Sequence, residues 1–401
     1  MPHPFSSRTA WDLTESDYAA AIRKRRAQGG ELLDLTVSIP TTCGFQYDPV
    51  TLLAPLSDPA VLQYQPGPLG LLSARIAVAD YYASHHATIS PEHIILTAST
   101  SESYSYLFRL LCNPGDNVLV PRPGYPLFDY LAALDDVELR TYDNHYAAGW
   151  MLDVVHLKSL ISNNTRAILL VSPNNPTGHF PQPSERAQLL SICAENNLAL
   201  IVDEVFLDYL ISNDLDSQTS ASFATIQAPP VPIFILSGIS KIAALPQMKV
   251  GWILCRGPQS YLSQAIDRIE VISDTFLSVS TPAQYALPTW LGNKDDMQHQ
   301  IIDRINMNLC VLEEMFNANS HLQYLPPDAG WSVILRAQYL SGTSTFAVQM
   351  IDKYGLVVHP GAFYGLPDAN CLVLSTIAST ETFKQGIALL SEQFHINEPR
   401  W

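Results

Sequence analysis

Short apolar runs alternate with helix-patterned stretches from about residue 70 to residue 280. His93-Ile-Ile-Leu-Thr97 predicts a strand. Ser101 to Leu111 predicts a helix, because Tyr104, Leu107, Phe108 and Leu111 recur at helical spacing. Asn117-Val-Leu-Val120 and Val137 to Thr141 predict two more strands. Ala167 to Val171, Leu198 to Val202, Ile233 to Leu236 and Val250 to Cys255 complete the series. These runs are apolar throughout instead of alternating, which suits strands of a parallel sheet covered by helices on both faces. Ser184 is placed to cap the helix that runs through Leu189, Leu190 and Cys193.

The pattern changes after about residue 285. A long helical stretch through Ile302, Met307, Leu309, Leu312 and Phe316 precedes Gly330-Trp-Ser-Val-Ile-Leu335, which reads as a strand of a smaller α+β lobe. Three units are expected. Residues 1–50 form an arm crossing onto the small lobe, 51–285 a large domain, and 286–401 a small domain. The segment from Ser212 to Pro232 is polar and then proline-rich, and reads as a surface excursion.

Composition narrows the classes. The chain has 401 residues, 47% hydrophobic and 15% charged, so it can build a large core. Its net charge of −16 disfavours nucleic acid and anionic membranes as partners. The six cysteines are scattered without a close CxxC pair, which fits reduced core thiols and neither a disulfide framework nor a metal site. The first residues carry no apolar leader, and no apolar run approaches a membrane span. A soluble cytoplasmic protein is expected.

The candidate chemistry lies just beyond the predicted strand ends, where ligands gather in such sheets. Lys241 follows the run Ile233–Leu236 in Ser237-Gly-Ile-Ser-Lys241. A primary amine held there can form a Schiff base with an aldehyde cofactor. Asp203 directly follows Leu198-Ala-Leu-Ile-Val202, and Asn175 sits in the turn after Ala167–Val171. Together they point to pyridoxal phosphate chemistry.

Several motifs then recur in order: Tyr64…Gly70, Thr97-Ala-Ser-Thr-Ser-Glu102, Pro114-Gly-Asp116, Pro123-Gly-Tyr-Pro126, Asn174-Asn-Pro-Thr-Gly178, Asp203-Glu-Val-Phe206, Ser240-Lys241 and His359-Pro-Gly361. On these motifs the chain resembles the class I/II aminotransferases, fold-type I pyridoxal phosphate enzymes related to aspartate aminotransferase. The resemblance implies a three-layer, mostly parallel large domain beside a small α+β domain. It implies pyridoxal 5'-phosphate as cofactor and transfer of an amino group from an amino acid to a 2-oxo acid by a ping-pong mechanism. It also implies a homodimer with shared active sites.

Residue by residue, the resemblance assigns Lys241 to the Schiff base and to proton transfer. Asp203 pairs with the ring nitrogen, Asn175 with the ring hydroxyl, and Tyr125 stacks on the ring. Thr100, Ser101, Ser237, Ser240 and Lys249 form the phosphate cup, and Tyr64 reaches the phosphate of the neighbouring subunit. Ile39 and Pro40 belong to a loop that covers substrate. Phe206 stands where the family usually has a tyrosine that bonds the ring oxygen. Lysine at 249 keeps the charge of the usual arginine without its fork.

One departure touches the substrate. The family's carboxylate-binding arginine aligns with Val373 in Asn370-Cys-Leu-Val-Leu-Ser375, and no arginine occurs between Arg336 and Arg400. Another cation, or backbone amides near Ile39 and Pro40, then hold the carboxylate, or the substrate lacks one there. Arg23, Arg25 and Arg26 have the pattern of a charged helix face. Trp150, Tyr146, Phe363 and Tyr364 are candidates for an apolar side-chain pocket. Two further readings stay open: a lyase or synthase on the same scaffold, favoured by Val373 and Phe206, and a non-catalytic pyridoxal phosphate-binding protein.

Overall fold

The computed structural model describes residues 5–147, 149–211, 222–316, 322–337, 340, 342–366 and 370–396. The first part of the predicted 212–232 excursion lies outside them. In chain order the strands are β1 (Leu33–Asp34), β2 (Ile94–Thr97), β3 (Asn117–Arg122), β4 (Glu138–Tyr146), β5 (Trp150–Leu152), β6 (Thr165–Val171) and β7 (Ala199–Asp203). They continue with β8 (Ile233–Gly238), β9 (Gly251–Arg256), β10 (Leu322–Leu325), β11 (Ser332–Ala337), β12 (Leu356–Val357), β13 (His359–Pro360) and β14 (Cys371–Ser375).

Eight of these form one sheet in the order β2-β9-β8-β7-β6-β3-β4-β5. The pairs joining β8 through β4 are parallel, whereas β9 runs antiparallel to both neighbours and β5 antiparallel to β4. Side chains alternate between two separate cores. Leu96, Ile168, Leu170, Leu200, Val202, Ile233 and Ile235 enter one. Ile95, Ala167, Leu169, Ile201, Phe234 and Leu236 enter the other. Both faces of each central strand are therefore apolar, which is why the runs show no alternation. Each fully buried Leu or Ile contributes roughly 1.5–3 kcal/mol.

The second lobe is an antiparallel sheet in the order β10-β11-β14-β13, with a third core that includes Leu35, Cys43 and Phe45 from the N-terminal arm. The helix Thr281–Gly292 buries Leu287 and Trp290 in the large-domain core, and the helix Lys294–Phe316 buries Ile301 and Ile305 in the second lobe. Packing thus changes sides at Asn293, between these two helices. The helix Pro183–Asn196 is capped by Gln182 and Glu185 in a capping box, not by Ser184. Pro183 takes the first helical position, and the cap falls two residues before Ser184, at Gln182. Among the described residues no helix is long and apolar enough to cross a membrane.

Candidate active site

Three neighbouring parallel strands deliver the chemistry. In register, Val171 of β6 lies beside Asp203 of β7, and Asp203 beside Leu236 of β8. Asn175, Asp203 and Lys241 therefore emerge at one sheet edge. All three line a cavity of about 580 Å³ between the two lobes. On the other side of β8, Gly238 pairs with Gly251 of β9, which pairs with Thr97 of β2. A Cβ at Gly251 would lie 3.1 Å from Ser99 and from the Ser237 carbonyl, and one at Gly238 would lie 2.8 Å from the Val250 carbonyl. The two glycines let the strand ends close against the start of the helix Thr100–Leu111.

Ser99 caps that helix, accepting from the Glu102 amide, while the Glu102 carboxylate accepts from the Ala98 amide at 2.6 Å. The first-turn positions Thr100 and Ser101 line the cavity together with Ser240 and Lys249. Amides at a helix start, two hydroxyls and an ammonium suit a phosphate dianion.

Asp203 is buried. Its Oδ2 accepts from the Tyr104 hydroxyl at 2.7 Å and its Oδ1 from the Val205 amide at 3.0 Å. Burial raises the carboxyl to about 6, against the pull of those two bonds and of the Lys241 charge. Tyr104, itself buried, is pushed well above its ordinary range and stays a donor.

Lys241 lies in the short helix Ile239–Ile242. Its Nζ is 4.7 Å from the centroid of the Trp331 ring and 5.6 Å from that of Phe206, and its carbonyl accepts from the Tyr209 hydroxyl at 2.6 Å. Burial lowers the amine to about 8, opposed by the Asp203 charge. A substantial neutral fraction at mildly alkaline pH makes it a nucleophile. Asn175 accepts from Ser332 Oγ at 3.3 Å, which leaves its amide hydrogens available. Tyr125 lines the cavity and meets Phe128 edge-on at 5.8 Å.

Several predicted residues lie elsewhere. Ser237 does not line the cavity. It is still within β8, fully enclosed, and its hydroxyl turns to the Glu204 carbonyl at 3.5 Å. Ile39 and Pro40 do not line it either: Ile39 is exposed and Pro40 is buried in a 3-10 turn. Leu35 enters the core, so the extended chain after β1 turns Thr36 and Ser38, two apart, onto the cavity wall. Tyr64 is 70% exposed and does not touch this chain's cavity.

Arg23 pairs with Glu15 and Arg25 donates to the Asp352 carbonyl, on a helix face away from the site. Val373 is on the cavity wall, and no arginine is among the described residues that line it. Of the proposed aromatics only Tyr364 lines the cavity. Trp150 and Tyr146 pack in one cluster with Val373. Tyr104, Trp331, Ser332, His359 and Ser375 were not anticipated as site residues. Tyr104 has a sequence signal, since it lies one helical turn after Thr100. Among the described residues no group of three or more His, Cys, Asp or Glu is arranged to hold a metal ion.

The family model for aminotransferase class I and II matches residues 54–387. The chain belongs to this family. Class I and II aminotransferases are pyridoxal phosphate-dependent as a family. The chain is 32% identical over 244 residues to nicotianamine aminotransferase 1 of Oryza sativa subsp. japonica, covering 59% of this chain and 48% of that protein. It is 33% identical over 237 residues to S-alkyl-thiohydroximate lyase SUR1 of Arabidopsis thaliana, covering 58% and 50%. The matches thus span about half the length of these two relatives. Alanine aminotransferase from Pyrococcus furiosus superposes with a TM-score of 0.88 at 20% identity, covering 98% of this chain and 100% of that chain, which shows the aminotransferase fold.

Proposed function

We propose that this chain is a pyridoxal phosphate-dependent aminotransferase that moves an amino group from an amino acid to a 2-oxo acid in two half-reactions at one site. The observation that carries this reading is the shared cavity: a buried amine of lowered pKa, a buried carboxyl and a helix start all face it.

The residues present fit the cofactor. Thr100, Ser101, Ser240 and Lys249 would hold its phosphate, Asp203 its ring nitrogen, Asn175 its ring hydroxyl, Tyr125 a ring face, and Lys241 its aldehyde carbon. When bound, pyridoxal phosphate supplies a carbonyl that condenses with amines and a ring that accepts the electron pair left on carbon. Asp203 would hold a proton at the ring nitrogen, and that positive charge would offset the cost of burying the carboxylate. Tyr104 holds the carboxylate in place. Lys241 Nζ, as a neutral amine, would accept the proton from the donor α-carbon. Apolar Trp331, Phe206 and Val373 keep water from the reacting atoms.

A homodimer follows from the same reading, with Tyr64 reaching the neighbour's phosphate, in a cytoplasmic enzyme. A lyase reading draws support from the likeness to S-alkyl-thiohydroximate lyase SUR1. The test is spectral. Protein loaded with the cofactor should lose its visible band with an amino acid and regain it with a 2-oxo acid. Ammonia or a cleaved side chain released with no acceptor present would favour the lyase instead.

A further inference from the structure

One wall of the cavity is built from β11, β13 and β14, and the polar groups of these strands that line it, Ser332, His359 and Ser375, are neutral. Ser332 and Ser375 face each other in register across β11 and β14, and both line the cavity. Ser375 is only 5% exposed, and its Oγ is buried with no hydrogen-bond partner. A buried hydroxyl with nothing to bond is costly unless a ligand completes it. Ser332 is already fixed by its bond to Asn175. Beside them, His359 stands opposite Val373 in register, and its Nδ1 is 3.0 Å from the Tyr364 hydroxyl. Burial holds the imidazole below its ordinary range, so it is mostly neutral near pH 7, although the Asp34 charge pulls the other way. The lysines of the cavity are engaged elsewhere, Lys241 in amine chemistry and Lys249 at the phosphate end.

Resting on the aminotransferase reading, we infer that this wall prefers a substrate whose amine-bearing carbon carries a neutral hydrogen-bonding group, such as a carboxamide, ester or alcohol, over one carrying a free carboxylate. A carboxylate buried there meets hydroxyls and a neutral imidazole but no guanidinium. Burying an unpaired charge costs far more than burying a neutral group that completes the Ser375 hydroxyl. A 2-oxo acid acceptor enters as the weaker ligand of the pair.

The test compares 2-aminoisobutyramide with 2-aminoisobutyric acid on protein loaded with pyridoxal phosphate. Neither ligand has a hydrogen on the amine-bearing carbon, so binding is read without amino transfer. Dissociation constants come from calorimetry and from the visible absorbance change, with concentrations expressed as unprotonated amine. The amide is expected to bind at least about tenfold more tightly. Ser375→Ala should weaken the amide selectively, and Val373→Arg should reverse the order. Equal or tighter binding of the acid to the wild-type protein overturns the inference while the aminotransferase reading stands. If borohydride traps no adduct at Lys241, that reading falls and the inference with it.

Discussion

The hydroxyl of Tyr104 donates a 2.7 Å hydrogen bond to Oδ2 of Asp203, joining the first helix of the cavity to the end of β7. This bond is one of two that oppose the upward push of burial on the carboxyl. Removing it in Tyr104→Phe should raise the Asp203 pKa further. A hydrogen bond to a charged group contributes about 1.5–3 kcal/mol, so the amino acid half-reaction should slow by roughly ten- to a hundredfold. The acidic limb of its pH–rate profile should also move to higher pH. An unmoved limb would assign Tyr104 to packing alone.

Lys241 makes two linked predictions. Lys241→Ala should abolish the borohydride-trappable adduct. In the wild type, the rate of adduct formation should rise as pH rises through about 8 and then level. Burial has lowered the amine to that value, so it loses its blocking proton there and not near its ordinary 10.5. Mass spectrometry of quenched samples across pH checks both. A rise delayed to pH 10 would mean that the amine is not buried as described.

Phe206 lies beside Lys241 and meets the Trp331 ring at 5.4 Å, edge-on. Without a hydroxyl it cannot stabilise a deprotonated nitrogen nearby. Phe206→Tyr should therefore lower the pH at which the visible absorbance of the cofactor-loaded protein titrates, by about one unit. Identical titration curves for the two proteins would reject the assignment.

Glu204 is 1% exposed, and its oxygens accept from Ser222 Oγ and the Phe223 amide, each at 2.7 Å. Burial nonetheless raises its carboxyl to about 7, above the roughly 4.3 of an unfolded chain. The folded state then binds the proton more tightly. Its contribution to stability is full below about pH 4, falls as pH rises to about 7, and is flat beyond. Glu204→Gln retains an acceptor for the Phe223 amide and removes this titration. Urea unfolding of cofactor-free protein from pH 4 to 8 should show a flatter profile in the variant.

Much of this architecture was legible in the chain. The runs ending at Val171, Val202 and Leu236 are apolar on every residue, which only a doubly covered sheet requires. Asp203 follows its run directly, and Asn175 and Lys241 follow theirs within about one turn. Ser237, assigned by resemblance to the phosphate cup, lies inside β8, which continues to Gly238, and its hydroxyl turns to the Glu204 carbonyl. In the extended arm, alternation turns Thr36 and Ser38 onto the cavity wall, while Ile39 and Pro40 do not line it. Ser332 and Ser375 carry no local mark, and His359 is marked only as part of the His359-Pro-Gly361 motif. They reach the site only because the second lobe folds back over the sheet edge, and that placement depends on contacts far apart in sequence.

The in-register ends of β6, β7 and β8 have a consequence for refolding experiments. A slip of one residue in β7 would turn the Asp203 side chain to the opposite layer and separate it from its neighbours. Helical signal can return in such a misaligned chain, but the coloured adduct needs all three strands aligned. Chromophore uptake after dilution from denaturant therefore reports strand alignment, on a timescale separable from that of helix recovery.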